Sequence, residues 1–309
     1  MATGPRTNSS VLWPPTVELG DLPVALFPPS WQHETFFALC GLAATLGLLS
    51  CALCSLVLMR GVHHGPLSQL LNSLVRSDAL FCLPMFVRAA AAAWDDWTFG
   101  SMVCQVTSYL FESAQALRVT FILLLLLWHL VGHGWSQPAW DGVVFAAWLC
   151  PLGTGLVALL DAKVTGQAGR RVCYSHSDSL PVWHHAWFVC AVLVPTALLV
   201  PAGAAVVGWR QRRPLRRPHM LPLTAVLAAA HLALQAGALA LLFVPRPDGA
   251  DSGWLEGAVV PLLVTLPLLH PASDLACFLW LYPQFRPTIH KVFVNRQTSD
   301  DGAQSSRPA

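Results

Sequence analysis

Four ionisable side chains, Asp78, Arg118, His270 and Asp274, fall inside long apolar stretches of this chain. Charge at membrane depth is costly, so such groups face the interior of a helix bundle and pair with one another. Arginine suits the middle of such a set, because its planar fork can bond two carboxylates and does not deprotonate. The expected chemistry is therefore electrostatic: a guanidinium between Asp78 and Asp274, with His270 in the same polar network. The plainer reading is a buried structural salt bridge without further role. In either reading, removing one partner is expensive. A second pair of opposite charges, Arg88 and Glu112, lies in the stretches that carry Asp78 and Arg118, about one-third of the way in from the expected outer side. It reads equally as an interhelical ion pair or as part of a ligand pocket.

These side chains can meet only if the apolar stretches are helices packed together. The 309 residues are 55% hydrophobic and 11% charged, where a soluble chain would carry about 25% charged residues. The composition is that of an integral membrane protein, with no separate soluble domain and no basic footprint for nucleic acid. Seven apolar stretches run over about 35–59, 67–93, 101–131, 141–161, 184–209, 219–244 and 254–282. Each reaches the ~20 residues that cross ~30 Å of hydrocarbon. In lipid every backbone polar group must be satisfied internally, so the expected fold is all-α, a seven-helix bundle. Residues 1–33 form an outer N-terminal segment, 34–294 the helical domain, and 295–309 a polar, disordered tail. Residues 1–30 lack the pattern of a cleaved signal peptide, which leaves the first span as its own insertion signal.

Orientation follows from the basic residues. With residue 1 outside, the inner segments hold ten: Arg60, Arg210, Arg212, Arg213, Arg216, Arg217, Arg286, Lys291, Arg296 and Arg307. The outer segments hold five: Arg6, Lys163, Arg170, Arg171 and Arg246. The excess of positive charge marks the cytoplasmic side, so the N-terminus is expected outside. Asn8-Ser9-Ser10 is a glycosylation acceptor on that side. Seven of the nine cysteines lie in or near the spans and read as small buried hydrophobes. Only Cys104 and Cys173 fall where the chain faces outward.

The segment Trp97-Thr98-Phe99-Gly100-Ser101-Met102-Val103-Cys104, entering a long apolar run, resembles the first outer loop and third helix of rhodopsin-like G-protein-coupled receptors. The resemblance covers about 34–294. Leu71-Asn72-Ser73-Leu74-Val75-Arg76-Ser77-Asp78 is similar to the family's second helix, with Asp78 as its buried aspartate. Trp148 matches the helix-four tryptophan and Pro195 the helix-five proline. Asp274-Leu275-Ala276-Cys277-Phe278 stands where the family carries Asn-Pro-x-x-Tyr, and 284–294 resembles its amphipathic eighth helix. The resemblance implies a Cys104–Cys173 disulfide tethering the second outer loop. It also implies that Asp78, Arg118, His270 and Asp274 occupy the family's sodium site, with Arg118 supplying the charge that sodium supplies elsewhere.

The departures bear on signalling. Trp128-His129-Leu130 replaces the Asp-Arg-Tyr that faces the G protein, and the Cys-Trp-x-Pro of helix six is absent, with Gln235 and Gly237 near its place. Without that proline the helix lacks one cause of a sharp kink. The resemblance puts Arg88, Phe111, Glu112 and Gln235 in the candidate ligand pocket. Phe111 stands where amine receptors carry an aspartate, which argues against a biogenic amine. Acidic outer residues, among them Asp95, Asp96, Asp178 and Asp251, favour a basic peptide by long-range steering, and Leu83–Ala89 is weakly similar to galanin-receptor-like peptide receptors. The inner face expected to meet a G protein or arrestin comprises Trp128, His129, Leu130, Arg210, Arg212 and Arg213; those arginines also suit anionic lipid headgroups.

Other classes fit less well. A seven-helix intramembrane hydrolase needs three histidines at membrane depth, and only His231 and His270 qualify. His176, His184 and His185 beside the second outer loop read as solvated rather than as zinc ligands. No inverted repeat or pair of broken helices suggests a transporter. The expectation is an orphan-type receptor at the plasma membrane, not an enzyme and without a cofactor. A receptor-like protein that acts by binding partners without signalling is the alternative.

Overall fold

A computed structural model describes residues 30–60, 65–94, 96–131, 136–167, 170–174, 220–243, 266–282 and 285–291, with isolated positions between 197 and 208. The described chain is helical apart from one hairpin. Helices α1 (Ser30–Arg60), α2 (Pro66–Trp94), α3 (Gly100–Val131) and α4 (Gln137–Thr154) come first. A short α5 (Leu156–Asp161) continues α4. Strands β1 (Lys163–Gln167) and β2 (Arg170–Tyr174) pair antiparallel, and α6 (Met220–Phe243) follows. A 3-10 turn, Leu266–Leu269, then leads into α7 (His270–Leu281), and residues 285–291 are again helical.

Four segments are long and apolar enough to cross a membrane: Phe37–Arg60, Pro66–Ala91, Gly100–His129 and Gln137–Leu160. They match the first four expected spans. The sixth and seventh expected spans contain the shorter apolar segments Leu221–Leu234 and Leu266–Leu281. The fifth, 184–209, lies outside the described residues except at isolated helical positions. So do Asn8 and the loop arginines Arg210, Arg212 and Arg213.

Side-chain spacing shows why the helices pack as they do. On α7, His270, Asp274, Cys277 and Phe278 are buried, the i, i+4, i+7, i+8 pattern of one helix face. On α6, Leu221, Thr224, Leu227, Ala228 and His231 form a similar buried stripe. Helix α2 packs between α1 and α3, α4 packs on α3, and α7 packs on α1 and α6. Fully buried Leu70, Leu71, Leu74, Leu117, Phe121 and Phe278 fill the space among them. Small residues set the closest approaches, as in other bundles where lipid removes the hydrophobic incentive to associate. A Cβ on Gly47 of α1 would lie 2.6 Å from Cys82 Sγ and 3.3 Å from Pro271, so α1 meets α2 and α7 there only because that position is glycine. Gly155, where α4 gives way to α5, has no room for a Cβ against the Ser113 hydroxyl of α3. Hydroxyls within the helices return to their own backbone, as Thr107 Oγ1 does to Val103 O at 2.7 Å and Thr120 Oγ1 to Ala116 O at 2.8 Å.

Candidate functional site

The Cys104 end of α3 is stitched first. Gly100 opens α3 with φ of +80°, a conformation suited to glycine, and its carbonyl accepts the Trp97 indole N–H at 2.8 Å. The Trp97 backbone N–H donates to Arg171 O of β2 at 2.8 Å. Arg171 answers with its own N–H to Asp96 Oδ1 at 2.7 Å and a guanidinium bond to Asp96 Oδ2 at 2.6 Å. Those hydrogen bonds hold the Asp96 carboxyl below the usual carboxylate range. Cys104 and Cys173 form a disulfide with Cα atoms 5.5 Å apart, locking the hairpin to the mouth of α3. Cys104, Trp97 and Ala162 are buried together beneath it.

Arg118 lies 14 residues below Cys104, about 21 Å along α3 at 1.5 Å per residue. Its fork reaches two helices. Nη2 donates to Asp274 Oδ1 at 2.8 Å and Nη1 to Asp274 Oδ2 at 3.0 Å. The same Nη1 donates to Asp78 Oδ1. All three side chains are 4% exposed or less. Asp274 takes the two-pronged pairing that matches guanidinium to carboxylate, and Asp78 takes a single bond from the side. The three formal charges sum to one negative. Helix α7 delivers Asp274 because Pro271, at the start of the helix, follows the tight 3-10 turn and sets the chain's entry.

One helical turn above Asp274 stands His270, 2% exposed, with its ring stacked on that of His231, 0% exposed, at 4.9 Å between centroids and 25° between planes. Both histidines are within electrostatic reach of Arg118. The sequence places both at membrane depth, yet nothing in it indicates that they meet, since 39 residues separate them.

The candidate pocket residues are partly assembled. The Arg88 guanidinium carbon lies 4.4 Å from the centre of the Phe111 ring, a cation–π contact, and Phe111 stacks on Phe81 at 5.1 Å. Glu112 is buried and within electrostatic reach of Arg88. Arg88 thus uses an aromatic face that charge pattern alone does not reveal. Gln235 lies on α6.

At the other end of α3, Trp128 and His129 are buried and their rings meet edge to face at 5.1 Å. A hydrogen bond joins His129 Nε2 and Thr224 Oγ1 of α6 at 3.0 Å. Leu130 is helical there. Trp148 of α4 donates its indole N–H to Ser73 Oγ of α2 at 3.3 Å and packs on Phe121. Among the described residues no group of three or more His, Cys, Asp or Glu side chains is placed to hold a metal ion. No family model matches the chain, and no curated protein matches it.

Proposed function

We propose that this protein is a divergent rhodopsin-like receptor of the plasma membrane, with its N-terminus outside, glycosylated at Asn8, and with Arg118 doing the work of the family's sodium ion. The observation that carries the reading is the fork of Arg118 on Asp274 and Asp78, which ties α2, α3 and α7 together at mid-depth. The disulfide-locked hairpin over the mouth of α3 supports it. A cation covalently attached to α3 cannot exchange with solvent, so the resting state is insensitive to sodium. The ligand class is a basic peptide, drawn by the acidic outer loops. The inner face offers its arginines to lipid headgroups and to a G protein or arrestin. The reaction class is binding, not catalysis, and needs no cofactor.

One observation favours the non-signalling alternative. The place of the family's inner arginine holds His129, which is engaged with Thr224 of α6. Two experiments separate the readings. In the first, basic peptides are screened for binding to surface-expressed protein. In the second, purified protein is assayed for nucleotide exchange on G proteins, with and without the peptide. Binding with exchange identifies a signalling receptor. Binding without exchange identifies a receptor-like binding protein. Absence of both removes the receptor reading, as does a melting temperature that rises with sodium for the role of Arg118.

A further inference from the structure

His231 and His270 are the most deeply buried histidines among the described residues, and there no donor or acceptor reaches any of their four nitrogens. Arg118 Nε is buried without a hydrogen-bond partner as well. The two rings stack where α6 meets α7, and Arg118 of α3 is within electrostatic reach of both. A buried polar group left without a partner costs far more than its bond is worth, and native chains satisfy nearly all of them.

We infer that the stacked pair frames an internal hydration site, in which ordered water bonds the imidazole nitrogens and Arg118 Nε. The chemistry of the lining selects the guest. A neutral imidazole offers one N–H donor and one lone-pair acceptor, and Arg118 Nε offers a donor. The site therefore presents both kinds of group, which suits water, itself donor and acceptor. A metal ion suits it poorly. The lone pairs of an imidazole lie in the ring plane, so two stacked rings send theirs side by side rather than onto one centre. An anion meets the net negative charge of Asp78, Arg118 and Asp274. A neutral hydrogen-bonding molecule remains. The inference does not depend on the receptor reading, because it rests on the burial of these atoms alone.

Bound water can be read chemically. Radiolytic labelling of the full chain in lipid nanodiscs, in ¹⁸O-water, converts internal water to hydroxyl radical where it sits. His231 and His270 are expected to gain ¹⁸O severalfold faster than equally buried Phe121 and Phe278. The second reading is the double variant His231→Phe with His270→Phe, which keeps two flat rings and removes all four nitrogens. Loss of the water's partners should lower the melting temperature by about 3 °C or more. If the histidines label no faster than the phenylalanines, the site is dry and the inference fails. A double variant that melts higher than the parent overturns it too, since it shows that the nitrogens were unsatisfied. Zinc retained by the parent through desalting, and lost in the double variant, overturns it in favour of a metal.

Discussion

Two arginines each grip an aspartate on a neighbouring element, at opposite extremes of burial. Arg171 and Asp96 join the β1–β2 hairpin to the loop before α3, with side chains 56% and 30% exposed. Arg118 joins Asp274 and Asp78 with every side chain 4% exposed or less. The contact distances are similar, 2.6 Å against 2.8 Å. Their consequences differ because the surroundings do. At the surface, water solvates either charge once the pair is broken, and exposed pairs contribute little. In the bundle bulk water does not reach the abandoned charge, so the pair holds three helices in one register whether or not it adds net stability. Distance alone therefore does not rank interactions; the fate of the abandoned charge does.

The comparison breaks most clearly at Arg118. Arg118→Ala leaves two carboxylates facing each other, and is expected to cost about 3–5 kcal/mol and to reduce surface expression sharply. Adding Asp78→Asn and Asp274→Asn to Arg118→Ala should recover part of the loss, because the stranded charges go with the arginine. Thermal unfolding and surface labelling measure both. A single variant as stable as the parent would place Arg118 in the same class as Arg171.

The covalent tether comes next. Cys173→Ser opens a link between residues 69 apart, and should cost about 2–4 kcal/mol. The loosening should be confined to the hairpin end, read as faster hydrogen exchange at Trp97 and Arg171 while the Arg118 level stays protected. Exchange that rises equally at both levels would show one cooperative unit instead of two regions.

A smaller effect is expected where α4 breaks against α3. Gly155→Ala puts a methyl onto the Ser113 hydroxyl, an overpacking worth about 1–3 kcal/mol. Ser113→Ala in the same chain should relieve part of it. An unchanged melting temperature in Gly155→Ala would mean that α4 shifts freely.

The smallest effect is that of the surface pair. Arg171→Ala should leave the melting temperature unchanged at neutral pH. Asp96 has its carboxyl held low by Arg171, so its contribution is present above the unfolded-state value of ~3.9 and is lost as pH falls through the lower folded-state value. Protection from exchange at the Trp97 and Arg171 amides, relative to an unfolded chain at the same pH, should therefore fall only below about pH 4. High salt should lower that protection as well, since exposed charges are screened. An Arg171→Ala variant that fails to reach the surface would contradict the ranking from the other side.

The sequence by itself determined that the chain is helical and apolar enough to cross a membrane, where the first four spans begin and end within a few residues, and which polar side chains lie at depth. Length, hydropathy and charge are properties of contiguous residues, so they are legible along the chain. Asp78, Arg118 and Asp274 stand out for the same reason: an ionisable residue in an apolar run needs a partner. The tertiary structure decided which partners met. It put Asp274 two-pronged on Arg118 and Asp78 on one nitrogen, turned Cys173 into part of a hairpin, laid Arg88 on Phe111, set His129 against Thr224 and stacked His231 on His270. Apart from the hairpin, each of these depends on the rotation of one helix about its axis relative to another. That rotation is fixed by small residues such as Gly47 and Gly155 at the closest approaches, and a glycine carries no sign, in sequence, of which neighbour it admits.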